Sequence, residues 1–249
     1  MGDIAKASLS TYGENLLYRL FGVNAELLID HAWGVEPCTI ADVKAYKPEN
    51  KSIGTGQVLH CPYDFEKARL IVKEMTELLA LDLVEKQVVT DQIVLTVGYD
   101  IENLKDGKII YKGEITTDFY GRKVPKHAHG TANIGRHTAS ATAMKKAVLE
   151  LFDKIVDENL LVRRVNLSAN HIIYKDEADI SQKFEQLDLF TSYAEAEKEQ
   201  QAEERELKLQ QATVNIRKKY GKSAVLKGIN LQEGATTLDR NNQIGGHKA

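Results

Sequence analysis

The stretch "LLVRRVNLSANHIIYK", residues 160–175, decides the fold. Val165, Leu167 and Ala169 alternate with Arg164, Asn166, Ser168 and Asn170, the period-two pattern of a strand that is buried on one side and wet on the other. Before it, "SATAMKKAVLELFDKIVDE" (140–158) predicts a helix whose apolar face carries Ala143, Ala147, Val148, Leu151, Phe152 and Ile155. "HAHGTANIGRHT" (127–138) reads as a polar strand, and "QIVLTVGYD" (92–100) as a strand with Ile93, Leu95, Val97 and Tyr99 on one face. The segment between them is polar and carries the turn signal Asp106-Gly107. Further upstream, "DFEKARLIVKEMTELLALDLVEKQ" (64–87) is a helix that Asp64 can cap, with Ala68, Ile71, Val72, Met75, Leu78 and Leu79 at helical spacing. "KSIGTGQVL" (51–59) is a short strand with two glycines. The order β-α-β-β-α-β predicts an α+β domain, a four-stranded sheet with two helices on one face and the other face exposed.

The flanks differ from this domain. Residues 1–36 predict short helices stopped by Gly22 and Gly34, too small a piece to hold a core of its own. Residues 37–50, bracketed by Pro37 and Pro48, predict an extended linker, because the residue before a proline avoids the helical region. The main domain spans 51–176 and a tail spans 177–249. "AEAEKEQQAEERELKLQQATVNIRKKYGK" (194–222) predicts a charged helix with little to bury, and the glycine-rich end, 226–249, a mobile segment.

Composition bounds the function without choosing it. The 249 residues carry a formal net charge of −3. No apolar run approaches the roughly 20 residues of a membrane span, and the N-terminus lacks the cationic start and apolar core of a signal peptide. Two isolated cysteines, Cys38 and Cys61, have no metal-like spacing and suit a reducing compartment, so a cytoplasmic protein is expected. Charge is uneven: from Gly121 to Lys175 ten Lys and Arg face four acids, with His127, His129, His137 and His171 among them. Such a region fits a polyanion-binding face or, equally, a surface whose counter-charges lie elsewhere in the fold.

Taken together, "NKSIGTGQVL" (50–59), the β-α-β-β-α-β order, "HGTANIGRHT" (129–138) and "LLVRRVNLSANHI" (160–172) resemble the little-finger domain of Y-family translesion DNA polymerases, in particular the bacterial UmuC/DinB-like branch. "GDIAKASLSTYGENLLYRLFGVNAELLIDHAWGVE" (2–36) is similar to the end of that family's thumb, and the resemblance covers most of residues 1–190. It implies a sheet face laid against the major groove of primer–template duplex DNA, contacting mostly phosphates. Carried over by position, the implied DNA contacts are Lys51, Ser52 and Thr55 on the first strand, Asn133, Arg136, His137 and Thr138 on the third, and Arg164 on the last. Gly54 and Gly56 would let the backbone approach closely. His137 and Thr138 also admit a plain role at the start of the helix that follows.

"QLDLF", residues 186–190, resembles the pentapeptide by which bacterial polymerases dock on the sliding clamp. Gln186 would hydrogen-bond at the pocket rim, Leu187, Leu189 and Phe190 would anchor in a preformed cleft, and Asp188 would face solvent. A short amphipathic turn packing on the domain is the alternative.

The resemblance places catalysis elsewhere. In that family the carboxylates that hold two metal ions lie in the palm, before the thumb. Asp3 and Asp30 lie in thumb-like helices, and the chain is read as beginning within the thumb. No catalytic residue, metal ligand or cofactor is therefore assigned to this chain. Magnesium is expected only in a palm domain, the chain alone is expected to be inactive, and a separate palm/fingers polypeptide joins duplex DNA and the clamp as an expected partner. Two other readings are an RNA-binding module of similar topology and a purely structural domain. Against the first, the exposed strands lack the aromatic platform that stacks unpaired bases.

Overall fold

A computed structural model describes residues 1–46, 52–105, 111–118, 120–182, 193–244 and 247–248. Lys51, the Asp106-Gly107 turn and the pentapeptide Gln186, Leu187, Asp188, Leu189 and Phe190 lie outside the described residues. The chain divides into two units, Met1–Glu49 and Asn50–Ala249.

The first unit holds α1 (Gly2–Ser8), α2 (Thr11–Phe21), α3 (Asn24–Ala32) and α4 (Ile40–Ala45). Gly22, at φ 59°, ends α2, and Gly34 follows α3 at φ 78°, as the stop signals predict. Among its apolar side chains, Leu17 and Ala25 are buried while Leu20, Val23 and Trp33 are exposed. The linker expectation needs correction at α4, which is helical and not extended. Thr39 accepts from the Asp42 backbone N–H at 3.2 Å, and the Asp42 carboxylate accepts from the Thr39 N–H at 2.9 Å. That reciprocal capping box satisfies two end donors, and neither proline lies within the helical residues.

In the second unit, β1 (Ile53–Tyr63), α5 (Phe65–Glu85), β2 (Val88–Tyr99), β3 (Ile115–Thr117), β4 (Lys123–Pro125), β5 (Ala128–Thr138), α6 (Ala141–Ile155), β6 (Val162–Asn170) and β7 (Ile173–Tyr174) follow in turn. The four long strands pair antiparallel in the order β1-β6-β2-β5. Two crossovers interlock: α5 carries the chain from β1 to β2 over β6, and α6 carries it from β5 to β6 over β2. Both helices start on side-chain caps, Asp64 accepting from the Lys67 N–H and Ser140 from the Ala143 N–H. They cover one face of the sheet, burying Ile71, Met75, Leu79, Val148 and Phe152 against Ile93, Leu95, Val97, Val165 and Leu167. Burial of each such side chain contributes about 1.5–3 kcal/mol.

The alternation read in 160–175 holds through Asn170 and then breaks. His171 takes φ 50°, and Ile173–Tyr174 pairs separately with Val88 and Val89. Within the polar insert, β3 and β4 form a small hairpin of their own.

The tail departs most from expectation. It contains α7 (Lys175–Gln182), α8 (Tyr193–Tyr220), a 3-10 turn Gly228–Leu231, α9 (Thr237–Asn241), and the two-residue strands β8 (Gln243–Ile244) and β9 (His247–Lys248). Its described part through residue 240 packs on the domain, so the mobile end is corrected. Glu74, on the side of α5 turned away from the sheet, is 1% exposed. Its Oε1 accepts from Asn230 Nδ2 at 2.8 Å and Thr237 Oγ1 at 2.7 Å, and its Oε2 from the Thr236 N–H at 2.8 Å. Glu77 pairs with Lys145 at 2.5 Å and Lys227 at 3.1 Å. Val214 of α8 is buried as well. Polar groups do most of this packing, so an apolar-period reading passes over it.

Removing that carboxylate should therefore release the C-terminal segment. Glu74→Ala is expected to cost on the order of 3 kcal/mol, because three buried donors lose their acceptor at once. Urea unfolding measures the loss, and hydrogen exchange should rise first across 228–240.

Candidate nucleic-acid interface

Register decides which side chains share the open face. Gly54 lies opposite Ser168, Gly56 opposite Asn166 and Val58 opposite Arg164. Ser168 and Asn166 in turn face Val94 and Thr96, which face Thr131 and His129 across β5. Gln92 and Asn133 continue the row. Hydrogen bonds tie it together: Thr96 Oγ1 to His129 Nδ1 at 2.9 Å, Gln92 Nε2 to Asn133 Oδ1 at 3.2 Å, and Ser168 Oγ to Asn170 Oδ1 at 3.0 Å. With its oxygen turned to Arg164, the Asn166 amide accepts from Nε at 3.1 Å.

Where β1 meets β6 the face dips into a shallow groove of about 290 Å³, lined by Gly54, Gly56, Val94, Thr96, Asn166 and Ser168. Gly56 makes the dip possible. A Cβ there would come within 2.5 Å of the end of the Asn166 amide. Hydroxyls, amides and one guanidinium around a glycine-floored groove can meet an anionic backbone through hydrogen bonds.

The implied contacts distribute unevenly over this surface. Asn133 and Arg164 stand on the open face, and Ser52 is exposed just before β1. Thr55 is corrected: it pairs with Leu167, so strand alternation turns it to the helix side, where Arg240 Nη2 donates to its Oγ1 at 3.0 Å. Desolvation lowers the Arg240 pKa from the usual guanidinium value. Arg136 and His137 occupy a bulge. The register jumps from Gln92–Asn133 to Thr90–Thr138, and Gly135 at φ 87° makes the bend. Thr138 is buried, and its Oγ1 accepts from the Ser140 N–H at 2.9 Å. That is the helix-start role the sequence allowed. His137 Nε2 lies 4.0 Å from Asp91, which also holds His171 at 3.0 Å. Gln92, Thr96 and His129 belong to the face and were not singled out. Only cross-strand register, which needs the partner strand, identifies them.

The basic region is largely neutralised within the fold. Arg122 pairs with Asp118, Lys126 with Glu114, Lys145 with Glu77, and Arg163 lies 3.7 Å from Asp100. Arg136 reaches Glu203 of α8 at 2.5 Å, and the Thr138 hydroxyl donates to the same carboxylate. Half of the ten cations thus have acidic partners, and Arg164 is the cation on the open face itself.

The impB/mucB/samB family C-terminal domain matches residues 50–189. "Putative UV-damage repair protein UvrX" of Bacillus subtilis (strain 168) is 25% identical over 251 residues, an alignment covering 100% of this chain and 51% of that protein. "DNA polymerase IV" of Bacillus velezensis is 23% identical over 234 residues, covering 94% of this chain and 46% of its own. The chain spans about half the length of the curated relatives it matches. Among solved structures, a "Y-family DNA polymerase chimera Dbh-Dpo4(243-245)-Dbh" matches with TM-score 0.38 at 12% identity. The "Insertion ternary complex of Dbh DNA polymerase" matches with TM-score 0.32 at 11% identity. Each match covers 69% of this chain and 41% of the other. Among the described residues, no helix is long and apolar enough to cross a membrane.

The Arg136–Glu203 contact can be weighed directly. A double-mutant cycle with alanine at both positions is expected to show about 1 kcal/mol of coupling in low salt, since the pair is partly solvated. Unfolding in high salt should shrink it.

Proposed function

This chain belongs to the impB/mucB/samB family through its C-terminal domain, and on that premise we propose that it is the DNA-gripping and clamp-docking part of a bacterial Y-family polymerase acting in damage bypass. One observation carries the grip: the sheet face opposite the helices presents Arg164, Asn166, Ser168 and Thr96 around the Gly54–Gly56 floor. Phosphates are the fitting partner, because the groups are donors on a shallow surface with no deep pocket for a base. No Phe, Tyr or Trp stands among the described residues of that face, which counts against a reader of unpaired bases. Contacts of this kind hold duplex DNA weakly, without regard to sequence, and release counterions. The names of the two curated relatives, a UV-damage repair protein and a DNA polymerase, agree with a role in repair.

Clamp docking rests on sequence. Gln186, Leu187, Asp188, Leu189 and Phe190 follow the domain and α7 in sequence, and a short peptide with apolar anchors at Leu187, Leu189 and Phe190 suits a preformed cleft. In a docked peptide Gln186 would serve the rim and Asp188 would face water.

Two measurements test the proposal. In a salt titration of duplex binding, Arg164→Ala is expected to weaken affinity alike for duplexes of different sequence and to reduce the log–log salt slope by about 1. A hundredfold preference among sequences, or an unchanged slope, would remove the grip. A peptide spanning Lys183–Ser192 is expected to bind a bacterial sliding clamp with affinity on the order of micromolar, since it loses conformational freedom on docking. Replacing both Leu189 and Phe190 with Ala should remove roughly 2 kcal/mol or more, while Asp188→Ser changes little. Equal binding by the double variant would show that QLDLF is not the docking peptide.

A further inference from the structure

The tail is attached at two places of opposite character. The far attachment is buried: Glu74 takes three hydrogen bonds from Asn230, Thr236 and Thr237, and Gln57 Nε2 donates to Thr236 Oγ1 at 2.8 Å. The near attachment is charged and partly solvated at Glu203 and Glu206, and buried at Gln210. Glu203 of α8 accepts from Arg136, with side-chain exposures of 19% and 42%, and from Thr138. One turn on, Glu206 accepts from Ser140 Oγ at 2.5 Å and from the Thr142 N–H at 3.0 Å and Oγ1 at 2.7 Å. Gln210 then bridges the Ala139 carbonyl at 3.0 Å and the Ala141 N–H at 3.4 Å. A single row of α8 side chains thus covers the end of β5 and the start of α6.

The donors under that row are a guanidinium, three hydroxyls and the first-turn N–H groups of a helix. This set recognises a phosphate as readily as a carboxylate. Arg136 sits in the bulge of an edge strand, where ladder pairing fixes it to neither face. We propose that α8 is a latch: Glu203 occupies Arg136 and Thr138 in place of a backbone phosphate, and duplex binding and latch closure compete. The inference rests on the phosphate grip proposed above and adds its regulation. The buried attachment at Glu74 keeps the strap tethered when the latch opens, and the exposed, charge-assisted contact is the one a polyanion displaces. A binding-competent state that is only partly populated lowers apparent affinity by that fraction.

The test uses the full chain and a labelled blunt duplex at one fixed, low ionic strength. Glu203→Gln weakens the latch, and Glu204→Gln, at the neighbouring exposed acid, changes net charge equally without touching Arg136. Glu203→Gln is expected to tighten duplex binding about fivefold, as the open fraction rises, and Glu204→Gln to leave it within about twofold. In the unaltered chain, saturating duplex should raise hydrogen exchange across the first half of α8 while 228–240 stays protected. Equal effects of the two variants, or α8 exchange unmoved at saturation, would overturn the latch and leave the grip standing. If no form of the chain binds duplex, the grip itself fails and the latch with it.

Discussion

A carboxylate with almost no water around it organises this domain. Glu74 stands in the middle of α5, on the side the sheet does not cover. A buried carboxyl group needs hydrogen-bond partners, because a buried polar group left without them costs free energy. Asn230, Thr236 and Thr237 supply them, which obliges the C-terminal segment to return some 160 residues along the chain to the outer surface of α5. That return path brings α8 across the start of α6, and it delivers Arg240 to Thr55. Glu77, one turn later, repeats the arrangement with Lys145 and Lys227. α5 is therefore covered on both sides, by apolar packing toward the sheet and by hydrogen bonding toward the tail.

What could be read in advance divides along that same line. Strands betray themselves by alternation and helices by apolar spacing and caps, and both signals are local. Val165, Leu167 and Ala169, with Asp64 as a cap, stand where the pattern put them. The Thr39–Asp42 capping box was equally local and visible, but the flanking prolines were given more weight than they can bear from outside a helix. The packed tail was not readable, because most of its buried residues are Asn, Gln and Thr, whose burial depends on partners far away in sequence. The acidic pair Glu74 and Glu77 at i, i+3, set among the apolar residues in the middle of α5, was the available sign, and it needed the question of who satisfies it.

The candidate interface was readable in its face and not in its charge. Alternation alone assigned Arg164, Asn166, Ser168 and Asn170 to the open side. Counting cations over 121–175 overstated the field they make, since Asp118, Glu114, Glu77, Asp100 and Glu203, the partners of five of them, lie outside that window. Bulges take single positions out of the alternation. One residue of slip exchanges the faces of a strand, and the jump between Asn133 and Thr138 takes Arg136 and His137 out of the alternation altogether.

The chemistry of the open face follows from these constraints. On the phosphate-grip proposal, a sheet surface that lies close to a rigid double helix has to be low, which fits the glycines and small polar side chains at its centre. Hydrogen bonds from Thr96, Asn166 and Ser168 depend on distance and angle, whereas lysine arms act as loosely held point charges. On the reading proposed here, orientation on the duplex comes from this uncharged centre, and the strength of the hold comes from the few guanidiniums around it. With Arg164 on the face and Arg136 engaged by Glu203, a change in the state of one arginine alters a large share of the available charge. A densely basic surface would be insensitive to such a change; this sparse one is not, and that gives a single acidic side chain on α8 leverage over the whole face.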